Sequence, residues 1–337
     1  MPHVRLICVT TLLLALLLVA DSIADDLVIR PDCQSRVGGM IKALFQVKAD
    51  SSVVSVLTLN DDSTTGHSFD IKTGAVAREY SSKRRFRHIA VANNHGVATT
   101  FDDEIMTLTF DPEWTESVLK RSGRFDAVAT DHAGKFALFG KDNGAIEKMR
   151  FKVEEWSTFG SFPQHSAISS IVISDDDKLV AVGNDRGELR ILSSEGHEQC
   201  DVIAERDDGS VLANGIATIA IRSDPANPIA WSRWDEDFRF RFPNCRDRTV
   251  TVRTQHRLSK ACVFLGNSDK IALADRNEVL VVSMTSGKKC LQLEGAKGFI
   301  STLCWTEASQ CLVAGTWKGE VVAWKLGSAL NKNLNGD

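Results

Sequence analysis

The chain has 337 residues, 43% of them hydrophobic and 25% charged, a globular balance that excludes wholesale disorder. Its formal net charge of −4 leaves no global basic field, so nucleic acid is not an expected partner. With 7 prolines and no long Pro/Ser/Gly tract, nothing marks a linker between domains.

In chain order the first feature is a targeting signal. His3 and Arg5 form a short basic head, residues 11–20 are an apolar run, and Ser22 and Ala24 set small residues ahead of Asp25-Asp26. This is the layout of a signal peptide, and the run is shorter than the ~20 residues of a membrane-spanning helix. Residues 1–24 are therefore expected to be cleaved, which places the protein in a secreted, periplasmic or other extracytoplasmic compartment. The competing reading is an uncleaved anchor or a buried N-terminal helix. No later stretch is apolar for long enough to span a bilayer. Export permits disulfides, and Cys33, Cys200, Cys245, Cys262, Cys290, Cys304 and Cys311 would remain in the mature chain. Their number is odd, and there is no Cys-x-x-Cys or close Cys/His cluster, so no metal site is expected.

Beyond Leu27–Arg30, a short strand with no partner nearby, the chain repeats. Gly140 to Gly144, Gly183 to Gly187 and Gly315 to Gly319 share the form Gly-x-x-x-Gly, each between two apolar runs. That is strand, tight turn, strand, with glycine where a turn needs positive φ. The strand after the turn can be centred at Phe69, Thr109, Arg150, Ile191, Phe240, Val282 and Trp324, at intervals of 40 to 42 residues with one of 49. A four-stranded propeller blade occupies ~40–45 residues, so the spacing predicts an all-β, seven-bladed β-propeller over residues 25–326. The long interval implies an insertion, at residues 206–210 or 224–228. Residues 165–205 give a full blade, with strands at 168–173, 179–182, 188–192 and 199–204. The last blade has three strands, at 299–304, 310–314 and 320–326, followed by a polar tail at 327–337. Pairing Leu27–Arg30 with that blade would close the ring and remove both exposed edges.

The repeats resemble those of WD-repeat propellers. Gln164-His165-Ser166-Ala167-Ile168 is similar to the Gly-His element before an inner strand. Cys304 to Leu326 looks like a whole repeat, with Trp324-Lys325 at the place of the terminal Trp-Asp. Phe69-Asp70-Ile71-Lys72-Thr73-Gly74 is similar to the Trp-Asp-x-x-Thr-Gly that closes many repeats. The resemblance spans about residues 27–326, but no blade carries every signature, and Phe69, Met149 and Leu192 stand where the family has Trp. It implies an interaction module that presents its loops to a protein partner. Asp70-x-x-Thr73-Gly74 also recurs in quinoprotein propellers, but no second copy stands in good register.

No catalytic signature is present, and no cofactor is expected. Asp175-Asp176-Asp177 and Asp235-Glu236-Asp237 fall at predicted turns, where solvation explains them. The strongest charge feature is Lys83-Arg84-Arg85-Phe86-Arg87-His88, between an outer strand and the next inner strand. Lys83, Arg84, Arg85, Arg87 and His88 are candidate binding residues for an acidic protein, an anionic glycan or a phosphate; the bland alternative is a solvated loop with Phe86 tucked inward. Trp234 and Trp317 sit in turns between second and third strands, as an exposed binding rim or as packing over the neighbouring blade. Cys304 and Cys311 flank a predicted turn. If that turn spans Thr306–Ser309 they oppose each other and are a candidate disulfide, the alternative being two buried thiols. The expected function is a secreted, non-enzymatic interaction or scaffold protein that binds a protein or an envelope polymer. The alternative is a propeller enzyme such as a hydrolase, or a quinoprotein-like cofactor-binding protein. Several carboxylates or histidines converging on the central channel would favour the enzyme, and an aromatic and basic rim would favour the binding module.

Overall fold

A computed structural model describes residues 27–46, 51–92, 94–110, 113–162, 166–202, 215–222, 229–234, 237–241, 249–254 and 261–332. Seven antiparallel sheets follow one another along the chain. Blade one holds β3 (Met40–Phe45), β4 (Val53–Leu59), β5 (Thr64–Asp70) and β6 (Val76–Ser82). Blade two holds β7 (Phe86–Ala92), β8 (His95–Thr100), β9 (Glu104–Thr109) and β10 (Thr115–Ser122). Blade three runs from β11 (Phe125–Thr130) through β12 (Phe136–Lys141) and β13 (Ala145–Arg150) to β14 (Glu155–Ser161). Blade four has β15 (Ile168–Ile173), β16 (Leu179–Asn184), β17 (Leu189–Ser193) and β18 (Glu198–Val202), and blade five β19 (Ile216–Ala220), β20 (Ile229–Arg233), β21 (Phe238–Arg241) and β22 (Thr249–Val252). Blade six has β23 (Cys262–Phe264), β24 (Lys270–Asp275), β25 (Glu278–Ser283) and β26 (Lys289–Leu293), and blade seven β27 (Ile300–Thr306), β28 (Cys311–Thr316) and β29 (Glu320–Lys325).

The apolar residues are distributed as a ring of face-to-face blades requires. Second strands such as β24 and β28 are buried at every position, because both of their faces meet a neighbouring blade. Outer strands such as β14 alternate or lie exposed. The core divides into seven clusters, one at each interface between adjacent blades, and one of them joins Ile41, Val54 and Phe69 of blade one to Val313, Val321 and Ala323 of blade seven. That last cluster closes the ring. The third-strand position that reads Phe69, Met149, Leu192 or Trp324 is buried in each case. It is a core position whichever residue fills it, and in blade seven Trp324 also donates its indole N–H to the Glu294 carbonyl at 3.0 Å.

An N-terminal strand completes the last blade, as expected, but a different segment does it. β2 (Cys33–Arg36) pairs antiparallel with β29, Cys33 facing Ala323 and Arg36 facing Glu320. Leu27–Ile29 forms β1 and adds instead to blade six, parallel to β26. The extended stretch 27–36 is thus shared between two blades. Pro31, which has no N–H, stands between the two strands, and the chain changes partner there. The polar tail begins with a short helix, α1 (Gly327–Lys332), whose Leu330 is buried against blades six and seven.

Two further expectations are corrected. In β27 and β28, Thr306 faces Cys311 and Cys304 faces Val313, because the connecting turn occupies Glu307–Gln310 rather than Thr306–Ser309. Cys304 and Cys311 are not opposed; both are free thiols, and burial pushes the Cys304 thiol up to about 12. In the Gly-x-x-x-Gly turns, only the second glycine has positive φ, as at Gly187 (79°). The first is needed for space. A Cβ at Gly140, Gly183 or Gly315 would stand 2.4, 2.5 or 2.5 Å from Ile168, Ile216 or Ile41 of the next blade. The two proposed insertions, at 206–210 and 224–228, lie outside the described residues, as do residues 1–24, expected to be a signal peptide, and Gln164-His165.

The Asp70 motif is a turn. The Thr73 and Lys72 N–H groups donate to the Asp70 carboxylate at 2.9 and 2.8 Å, and Gly74 donates to the Asp70 carbonyl. The Thr73 amide above all holds the Asp70 carboxyl below its ordinary range. Blade six repeats the turn with Ser283 in place of Asp and Gly287 in place of Gly74, a second copy hidden by the substitution.

Candidate functional site

One structural device recurs around the ring. At or next to its start, the inner strand of six blades has a large buried residue, then one residue that pairs with nothing across the ladder, then regular pairing. The buried residues are Ile41, Phe86, Phe125, Ile168, Ile216 and Ile300. The extra residues are Lys42, Arg87, Asp126, Ser169, Ala217 and Ser301. A β-bulge of this kind bends the strand and re-aims one side chain. Here the bulges stand at the strand ends where outer strands hand over to inner ones, and all except Ala217 line one cavity at the mouth of the central channel.

Two of these bulges are structural. Ser169 Oγ donates to the Ile216 carbonyl at 2.8 Å, and Ser301 Oγ to the Ile41 carbonyl at 2.6 Å, so each hydroxyl clasps the next blade. On blades one to three the clasping hydroxyl is replaced by Lys42, Arg87 and Asp126. The cavity between them has a volume of about 600 Å³ and is also lined by His88, Trp234 and Trp317. Both tryptophans are 50% exposed, in the turns that follow β20 and β28. Trp317 is braced edge-on by Phe299, with ring centroids 5.9 Å apart, and Arg276 lies over the other ring at 5.5 Å.

The charges in the mouth are unequally matched. Arg87 is bridged to Asp103 at 3.2 Å and lies 5.3 Å from the Phe101 ring. Asp126 faces Arg124 at 3.4 Å. His88 is held neutral: burial, against the pull of Asp126 and with help from Lys42 and Arg87, lowers its pKa to about 4. Lys42 has neither a hydrogen bond nor an ion pair among the described residues, and burial together with Arg85 lowers its pKa. An ammonium in that position gains from any anion that enters.

The basic segment is only partly a loop, since Phe86, Arg87 and His88 belong to β7. Phe86 is buried. Lys83 is exposed and away from the mouth. Arg84 turns back into blade two and bridges Glu104 at 2.8 Å and Glu116 at 3.1 Å. Arg85 lies over Phe101 at 4.7 Å. Of the sequence-predicted residues the structure therefore brings Arg87, His88, Trp234 and Trp317 together and leaves Lys83, Arg84 and Arg85 outside. Sequence reasoning missed Lys42 and Asp126. Their signal is the residue after the first large apolar side chain of each inner strand, which becomes visible once the blades are aligned. The acidic turns are structural: Asp177 accepts the His132 and Ala133 N–H groups across the opposite face, and Asp237 accepts the Thr254 N–H at 3.0 Å. Asp235 and Glu236 lie outside the described residues. No group of three or more His, Cys, Asp or Glu side chains positioned to hold a metal ion occurs among the described residues. No protein-family model matches the sequence, and no curated protein matches it.

Proposed function

We propose that this propeller is an extracytoplasmic interaction module of WD-repeat type, and that its channel mouth receives an acidic side chain of a protein partner. The observation that carries the reading is Lys42, an ammonium with no ion pair or hydrogen bond among the described residues, within a cavity rimmed by two half-exposed tryptophans. Binding hot spots are enriched in tryptophan and cluster in desolvated pockets. A charge-assisted hydrogen bond there contributes about 1.5–3 kcal/mol, enough for a tenfold change in affinity or more. Arg87, the other cation lining the mouth, is already matched to Asp103, which suits one carboxylate better than a densely charged polymer. Hydrolysis by paired carboxylates would need a second acid beside Asp126, and the described lining offers Asp126 alone. Export rests on the order of basic head, apolar run and small residues at the N-terminus.

The test is capture from the native exported fraction by the full chain, by Lys42→Gln and Trp317→Ala, and by Lys178→Gln on the opposite face as control. The reading expects a partner held by the parent chain and the control and released at least tenfold more readily by the two mouth variants. Equal capture by all four chains would contradict it.

A further inference from the structure

A second groove, of about 840 Å³, lies at blade seven, lined by Gln34, Ser35, Arg36, Lys297, Lys318 and Glu320. It adjoins the mouth, because Trp317 lines one and Lys318 the other. Arg36, Lys297 and Lys318 are exposed, and none of these side chains makes an ion pair or hydrogen bond among the described residues. The lining holds one carboxylate, Glu320, which makes no ion pair among the described residues. Glu320 is buried, accepting from the Gln34 amide through one oxygen and from the Lys297 N–H through the other at 2.6 Å. The three cations thus outnumber the one carboxylate of the lining and none of them is ion-paired among the described residues, whereas Arg84, Arg87 and Lys141 elsewhere are matched to carboxylates.

The segments that carry them are locked together. Val37 donates to the Gly319 carbonyl at 2.8 Å. A Cβ on Gly319 would stand 2.5 Å from the Gly39 carbonyl oxygen, so the link into blade one lies directly on the turn that holds Lys318. Lys297 is fixed through its own amide to Glu320. A rigid cationic groove loses little ordering entropy on binding. Gln34, Ser35 and Arg36 belong to β2, the outermost strand of blade seven, which has no strand on its outer side among the described residues. Unpaired main-chain groups beside a row of cations suit an extended peptide that adds to the edge by main-chain hydrogen bonds while its carboxylates reach the cations. A glycan has no alternating amide ladder to offer that edge.

We infer that the blade-seven groove is a second subsite, which binds an extended acidic segment of the partner as an added strand along β2. The inference rests on the proposed function for the partner being a protein; the groove itself stands on its own observations. The test uses the full chain and fluorescein-labelled hexaglutamate, followed by fluorescence anisotropy at several salt concentrations. Arg36→Gln/Lys297→Gln/Lys318→Gln should weaken binding at least tenfold and flatten its salt dependence, with Lys318→Glu as a second variant. Unchanged thermal unfolding would show both to be folded. Hexaglutamate N-methylated at alternate residues should bind at least tenfold more weakly than the plain peptide. Undiminished binding by the triple variant would overturn the groove. Equal binding of the N-methylated peptide, or tighter binding of polygalacturonate, would overturn the added strand. A loss confined to Lys42→Gln would leave the mouth standing and remove the groove; a loss confined to the triple variant would do the reverse.

Discussion

Gly183→Ala tests how the blades are spaced. The new Cβ would lie 2.5, 2.6 and 2.9 Å from Ile216 Cβ, Cγ2 and Cγ1, all inside the closest approach of real Cβ atoms. The contact with Ile216 Cβ is fixed by the backbone, so no rotamer change relieves it, and blades four and five must separate. Overpacking of this kind costs about 1–3 kcal/mol. In a domain of this size each kcal/mol moves Tm by roughly 2–4 °C, so the expected loss is roughly 2–12 °C. Gly160→Ala is the matched control, since it lies in a strand, without positive φ, and its Cβ would meet nothing closer than 3.9 Å. That change is expected to be neutral or to stabilise by about 0.4–1 kcal/mol through the unfolded chain. Differential scanning calorimetry of both variants decides the matter. If Gly183→Ala proves as harmless as Gly160→Ala, close packing at the first glycine is not what spaces the blades.

Three further outcomes are expected. The folded-state pKa of His88, about 4, is below the 6.5 of a free imidazole, so as pH falls the unfolded chain takes up the proton first. Its contribution is present above pH 6.5 and lost toward pH 4, on the order of 3 kcal/mol. Denaturant titrations should give a shallower fall for His88→Gln over that window, and parallel curves would refute the buried neutral ring. Trp324→Phe removes the donor to the Glu294 carbonyl and part of a filled core position; a loss of about 1–3 kcal/mol is expected in urea unfolding, and no loss would place the indole outside the core. Removing residues 27–36 uncovers the edges of β26 and β29, so size-exclusion chromatography with light scattering should find association or aggregation. A monomer of unchanged Tm would contradict closure by these strands.

The ring was legible because a propeller writes its period into the sequence. All seven positions chosen as third-strand centres, from Phe69 to Trp324, fall inside third strands. What escaped depends on single-residue register. Leu27–Ile29 and Cys33–Arg36 are both short and extended, and nothing local says which one pairs with β29. The Cys304–Cys311 register slipped by one turn residue. The mouth was half visible: Trp234, Trp317, Arg87 and His88 drew notice by residue type. Lys42 and Asp126 did not, because an isolated charge beside an apolar residue looks like ordinary strand alternation. Only the bulges, a tertiary feature shared by six blades, turn them toward one cavity. Conversely, Arg84 looked available within a basic run, yet Glu104 and Glu116 on neighbouring strands take it up.

The most direct test of the proposed mouth is zero-length carbodiimide cross-linking of the full chain to its partner in the exported fraction, with the linked residues mapped by mass spectrometry. Such links join an amine to a carboxylate in contact with it. The account predicts links from Lys42 to an acidic residue of the partner, absent in Lys42→Gln. A partner recovered with links only to lysines of the opposite face, such as Lys135 and Lys178, would contradict it.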